Sequence, residues 1–279
     1  MHSSAHAGVA LAVLAVLCLH LPTHAQEAPL APASLTDAYR LFYNAHYEDA
    51  ASLAMSLREN GAQDLENDEV RTSALLFQLR GLLNGQDAGD SDKKGEVLKR
   101  CARCAEVMTA FMTDLHHGQA LAHSRLKAKP ADEEALFFLG KLDLNYVWLE
   151  LGLLGHKTGW DEYWEARKSL DAVLKQNPKH VRARIARGWI DYIVNTRMPW
   201  GTRWILGGGN KKKGLAAIRE ATTMEADRWT RAEAEFALWD MTVREKNFTE
   251  AVEIARKLSR EFPDNREVAR FLKQREQQH

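Results

Sequence analysis

The sequence predicts an all-α fold built from stacked helical hairpins. Apolar residues recur at three and four positions rather than at two, the period of a helix face and not of a strand. Helix start and stop signals come in pairs separated by short turns. Two segments also repeat each other at a spacing of 48 residues (188 − 140). In that repeat Gly140 maps to Gly188, Asp143 to Asp191, Ala166 to Gly214, Leu170 to Ile218 and Val173 to Ala221. A fixed period of small and apolar residues marks helical hairpins that bury their faces on their neighbours.

The elements follow in order. Thr36–Asn44 and Glu48–Glu59 flank a tight turn at His46-Tyr47, and Asn60-Gly61 ends the second helix. Leu65–Leu83 stops at Asn84-Gly85, and Gln86–Asp92 is a polar loop. Lys93–Lys127 reads as helix with a break near His117-Gly118, and Pro130 ends it. Asp132 is placed to cap the next helix, which runs to about Leu154. Gly155–Gly159 is a turn, and Asp161–Gln176 is the partner helix. His180–Val194, Lys211–Met224, Arg231–Arg244 and Thr249–Glu261 continue the series. Arg266–Gln277 is expected to cap the stack with its polar face. The expected organisation is a leader over 1–25, a flexible lead-in over 26–34, the repeat domain over 35–265 and the capping helix over 266–279.

The leader reads as a secretory signal peptide. Val9–Leu21 is an apolar run too short to span a bilayer comfortably, and Pro22 breaks it. Thr23-His24-Ala25 offers small residues at the two positions a signal peptidase reads, so cleavage is expected after Ala25. Only His2, His6 and the amino terminus supply positive charge before Val9, which keeps an uncleaved anchor as the alternative. Leu17 before Cys18 argues against a lipid-modified cysteine. The expected localisation is periplasmic or secreted, with no transmembrane segment after cleavage. Cleavage would leave 254 residues (279 − 25), enough for one elongated domain. Lys+Arg and Asp+Glu both number 38, so no global field favours nucleic acid.

The C-terminal pair fits the tetratricopeptide (TPR) pattern of about 34 residues. Leu238 takes the large apolar slot of the first helix, and Phe248, Ala251, Ala255 and Leu258 the packing slots of the second. Pro263 stands at the closing proline, while Trp239 replaces a usually small residue. Tyr47, Ala50, Ala54 and Leu57 stand in the same relation near the N-terminus. Leu139-Gly140, Ala166, Leu170, Val173 and Pro178 fit with about 14 extra residues inserted (48 − 34), and the second 48-residue unit carries an equally long insertion. The stretch Asp191-Tyr192-Ile193, Met198-Pro199-Trp200 and Trp204 through Leu215 resembles a largely uncharacterised group of secreted bacterial TPR proteins. Those carry a tyrosine-rich first helix, a Pro-Trp turn, a Gly-Gly-Asp/Asn-basic stretch and a Gly-Leu helix start. Ala135–Gly140 and Glu261-Phe262-Pro263 also fit, so the resemblance spans Leu126–Asn265. A looser similarity, resting on the Gly-Gly-basic helix start, is to the periplasmic TPR subunit of tripartite ATP-independent transporters.

Few constellations suit chemistry. Cys101-Ala102-Arg103-Cys104 is the cysteine pair that remains after cleavage. A local disulfide, free thiols and a redox or metal site are the alternatives. No strand leads into the pair, Ala105 stands where haem attachment needs His, and His117 lies about 20 Å further along a continuous helix. Gly207-Gly208-Gly209-Asn210 before Lys211, Lys212 and Lys213 opens a helix, where backbone N–H groups and lysines favour an anion. The plain alternative is a tight turn capped by Asn210. All eight tryptophans lie between Trp148 and Trp239, a distribution that suits a groove wall or ordinary packing between long helices. Asp143 and Asp191 are expected to pair with Arg184, Arg187 or Arg203. Asn247-Phe248-Thr249 matches a glycosylation acceptor, but Phe248 is a core slot.

No set of nucleophile, base and orienting group emerges, so no enzymatic activity, cofactor or metal is expected. The expected role is a protein-interaction scaffold with a protein partner in the cell envelope and no nucleic-acid partner. The alternative is a ligand-binding subunit for a small anionic or amphipathic molecule, associated with envelope transport. The candidate partner or anion site comprises Trp200, Arg203, Trp204, Asn210, Lys211, Lys212 and Lys213.

Overall fold

The computed structural model describes residues 33–59, 65–84, 98, 100–156, 158–197 and 206–277. The expected leader, the lead-in as far as Pro32, the 86–92 loop, and Trp200, Arg203 and Trp204 lie outside the described residues. Eleven α-helices and no strand occur among those described. They are α1 Leu35–Tyr43, α2 Tyr47–Glu59, α3 Leu65–Asn84, α4 Ala102–Ala128, α5 Glu133–Val147, α6 Trp160–Gln176, α7 Val181–Arg197, α8 Lys211–Ala221, α9 Arg228–Arg244, α10 Phe248–Glu261 and α11 Arg266–Glu276. A π-helical segment, Trp148–Leu154, continues α5.

Side-chain caps set several helix starts. Asp132 Oδ1 accepts the N–H of Ala135, Asp227 Oδ1 those of Trp229 and Thr230, and Asn265 Oδ1 those of Glu267 and Val268. Consecutive helices pack as hairpins, α1 with α2, α3 with α4, α5 with α6, α7 with α8 and α9 with α10. The small slots of the pattern are where the paired helices meet: Ala50, Ala54, Ala166, Ala251 and Ala255 are all buried. The chain is therefore an all-α stack of TPR-like hairpins forming a short superhelix.

The 48-residue register is visible in the contacts of the two glycines. A Cβ on Gly140 would lie 2.9 Å from Leu170 Cγ and 3.3 Å from the Ala166 carbonyl oxygen. A Cβ on Gly188 would lie 3.1 Å from the Gly214 carbonyl oxygen and 3.2 Å from Ile218 Cγ1. Ala166 and Leu170 are the residues that the repeat maps to Gly214 and Ile218. Gly188→Leu should therefore force α7 from α8 and destabilise by about 1–3 kcal/mol in chemical denaturation. An unchanged midpoint would mean that the two helices have room to spare there.

Three local expectations need correction. Helix α4 runs unbroken through His117 and Gly118. Gly118 marks a close crossing instead, since a Cβ there would meet Leu142 Cδ1 at 2.7 Å and Asp68 Cβ at 3.1 Å. The helix expected to reach Leu154 changes to π-helical winding at Trp148. Asp143 does not face an arginine: it is fully buried and accepts a hydrogen bond from Gln119 Nε2 at 2.7 Å. Asp191 does pair with Arg187, at 2.8 Å.

The two ends of the stack meet. One core cluster joins Ala38, Tyr39 and Tyr43 of α1 to Ala251, Ala255 and Leu258 of α10 and to Val268 and Phe271 of α11. Tyr43 stacks on Trp229 of α9 with ring centroids 6.1 Å apart. Asn265 Nδ2 donates to the Tyr43 carbonyl at 2.8 Å, and the Asp264 N–H donates to Asn44 Oδ1 at 3.2 Å. Tyr47 donates to Glu267 at 3.3 Å, and Arg80 forms an ion pair with the same carboxylate. Helix α11 thus seals the stack against its own first hairpin.

Candidate functional site

With its ends joined, the stack turns one face of each first helix toward a common axis. On α3 that face is Glu69, Ser73, Phe77 and Arg80, on α7 Arg182, Ile185 and Trp189, and on α9 Glu233, Phe236, Asp240 and Arg244. These spacings of three and four keep each set on one side of its helix. On α5 and its π-helical continuation the corresponding side chains are Lys141, Asn145 and Trp148. Together they bound a partly enclosed cavity of about 420 Å³, within the size range of small-molecule sites.

One side of the cavity is a cross-axis ion cluster. Arg182 Nε lies 2.7 Å from Glu233, and its terminal nitrogens lie 2.8 Å from Glu69 and 3.3 Å from Glu66. Lys141 Nζ lies 2.6 Å from Glu233 and 3.5 Å from Glu69. Tyr39 donates to Glu66 at 2.7 Å, and the Arg182 guanidinium stands 5.0 Å from the Phe137 ring centre. Burial works against every charge here. Glu233 and Glu69 outweigh it on Lys141, and Tyr39 together with Glu233 and Glu69 outweighs it on Arg182, so both cations are held above their ordinary pKa. Burial alone would raise the Glu233 carboxyl, but Lys141 and Arg182 outweigh it and hold it well below its usual range. Burial pushes the Tyr39 and Tyr43 phenols far up, so both stay protonated.

The other side is aromatic. Trp148 and Trp189 meet edge to face with centroids 5.8 Å apart. Phe77 lies against Tyr47 at 5.2 Å and under Arg80 at 4.4 Å. Arg244 stands 5.7 Å from the Trp189 ring centre and pairs with Asp240 at 3.0 Å. The π-helical winding positions Trp148: its ring lies where a Cβ on Gly152 would be only 2.7 Å away. Segments of π-helix are uncommon and occur often at functional sites. Trp239 also lines the cavity, and its buried indole nitrogen has no hydrogen-bond partner.

Of the loop singled out in the sequence, the described part, Leu206–Lys213, packs on α6 and opens α8. Asn210 Oδ1 accepts the N–H of Lys213 at 2.9 Å and caps α8. Lys211 pairs with Glu245 at 2.7 Å, and Lys212 and Lys213 are exposed. Gly207 and Gly208 adopt φ of 73° and 72°, which suits glycine. The carbonyls of Leu206 and Gly207 accept from Arg167 of α6 at 3.1 and 2.8 Å. None of Asn210 to Lys213 lines the cavity. Cys101 and Cys104 are disulfide-bonded, with Cys101 Sγ accepting the Cys104 N–H at 3.1 Å at the start of α4. Among the described residues no group of three or more His, Cys, Asp or Glu is placed to hold a metal ion, and no helix is long and apolar enough to cross a membrane.

Sequence reasoning pointed to the tryptophans, and Trp148, Trp189 and Trp239 reach the cavity. It missed Glu69, Lys141, Arg182 and Glu233. Only Lys141 carries a sequence signal, a charge inside the apolar run Leu139-Gly140-Lys141-Leu142, while Glu69, Arg182 and Glu233 stand among other charges.

No family model matches the chain, and no curated protein matches it. Among solved structures it is similar to a thermophilic TPR protein of Thermus thermophilus, at 14% identity and a TM-score of 0.44, over 85% of this chain and 94% of that one. The all-α hairpin stack stands on the helix contacts described above rather than on this likeness.

Proposed function

We propose that the protein is a non-enzymatic binding protein of the cell envelope whose central cavity holds a small amphipathic molecule. TPR-like stacks are in general interaction scaffolds, and an open concave surface suits a peptide or a partner domain. The observation that carries the small-ligand reading is the meeting of the two ends. It converts the concave face into a bounded cavity of about 420 Å³, a volume for a small molecule and not for a folded domain. Aromatic walls beside a polar cluster match an amphipathic occupant. Export is supported by the Val9–Leu21 run and the small residues before Gln26.

A protein partner remains the second reading. Trp164, 41% exposed on α6, is a large apolar side chain that such a partner could cover.

Native mass spectrometry of the protein purified from an envelope fraction tests the first reading. The expected result is a chain beginning at Gln26 that carries a bound low-mass compound, released on denaturation. A chain retaining Met1 in the cytoplasm overturns the localisation. A bare mature chain that takes up nothing from an envelope extract overturns the ligand.

A further inference from the structure

We infer that the cavity selects an uncharged molecule with a flat apolar ring and excludes free carboxylates, sulfonates and phosphates; this rests on the small-ligand role proposed above. The inference comes from how the charges of the lining are matched. A site built for an anion leaves a cation unneutralised and aimed at the ligand. Here Arg80 faces Glu267, Lys141 and Arg182 share Glu69 and Glu233, and Arg244 is held by Asp240. An entering anion must displace one of these carboxylates or sit beside it, which is most unfavourable at the buried cluster of Lys141, Arg182 and Glu233. A cation meets the same obstacle from the paired arginines.

The remaining lining favours ring stacking. Trp148, Trp189 and Phe77 present ring surface to the space, and Gly152 removes the side chain that would otherwise push the Trp148 ring aside. Faces and edges of this kind gain most from an aromatic or fused-ring ligand. Arg80 and Arg244 already lie over Phe77 and Trp189, so the lining cations are engaged with rings as well as with acids.

The test uses two dyes with one ring skeleton, neutral N-phenyl-naphthylamine and anionic anilinonaphthalene sulfonate, titrated into the full-length protein. Dye emission and tryptophan quenching report binding. The neutral dye is expected to bind saturably, at least about tenfold more tightly than the sulfonate, a difference of about 1.4 kcal/mol. Gly152→Ala, which displaces the Trp148 ring, and Trp148→Ala, which removes it, should both weaken the neutral dye. Asp240→Asn frees Arg244 and should improve sulfonate binding while leaving the neutral dye unchanged.

Equal or tighter sulfonate binding by the unmodified protein overturns the charge selection and leaves the ligand role standing. So does an Asp240→Asn variant that treats both dyes as before. If neither dye binds, or if the neutral dye ignores both Gly152→Ala and Trp148→Ala in proteins with unchanged melting, the cavity itself is not a binding site.

Discussion

Arg182→Ala should destabilise the protein by about 3–5 kcal/mol in chemical denaturation, the range for removing one member of a buried charge pair. The loss has two parts. Glu69 and Glu233, both largely shielded from water, lose the guanidinium that reaches both. The stacking of Arg182 against Phe137 and Tyr39 disappears as well. Arg228→Ala is the contrast. Its pair with Glu261 at 3.0 Å is on the surface, where such contacts contribute about 1 kcal/mol or less. Near-equal effects of the two substitutions would mean that the axial cluster is not what ties α3, α7 and α9 together. The cluster also sets an acid limit. The folded-state pKa of Glu233 lies below its ordinary value of 4.5, so its contribution is present above pH 4.5 and lost as pH falls below that value.

The second large effect has the opposite sign. Asp143→Asn should stabilise the protein above about pH 4, with the gain growing to about 1–3 kcal/mol near pH 8. Burial raises the Asp143 carboxyl from 3.8 to about 8, against the Gln119 hydrogen bond that favours its ionised form. Between those two values the folded chain holds a proton that the unfolded chain releases, so stability falls as pH rises through that window. Asn keeps an oxygen for Gln119 and has no charge to bury. Asp143 Oδ2 has no hydrogen-bond partner, so the replacement breaks no existing bond there. Denaturation midpoints of both proteins from pH 4 to pH 9 check the result. A gap that does not change with pH would show that Asp143 is ionised in the folded protein.

What the sequence revealed and what it hid follow a physical division. The hairpins were legible because their determinants are local: a capping side chain three residues before a helix turn, a small residue opposite a large one. The register from Gly140 to Gly188 was legible because each glycine answers to a partner on the very next helix. The axial cluster was not. Lys141, Arg182 and Glu233 lie in three different repeats, and no spacing between them reflects the distance across the superhelix. The described end of the glycine-rich loop shows the same limit of local reading. Asn210 and Lys211 look like an anion site when read alone, but Asn210 caps its own helix and Lys211 has Glu245. The π-helical turn was equally hidden, since Trp148–Leu154 reads as ordinary helix until Trp148 is seen lying over Gly152.

Hairpin arrays usually behave as nearly one-dimensional objects, in which each unit senses only its neighbours and folding can begin anywhere and spread. The bonds from Asn265 to Tyr43 and from Asp264 to Asn44 span 222 and 220 positions of sequence and change that behaviour here. Such long-range contacts slow folding because a long loop must close before they form. A chain emerging from synthesis can assemble its first four hairpins in sequence. It cannot join its ends until the residues after Phe262 have appeared. Helix α1 thus waits for its partners at Asp264 and Asn265, synthesised some 220 residues later.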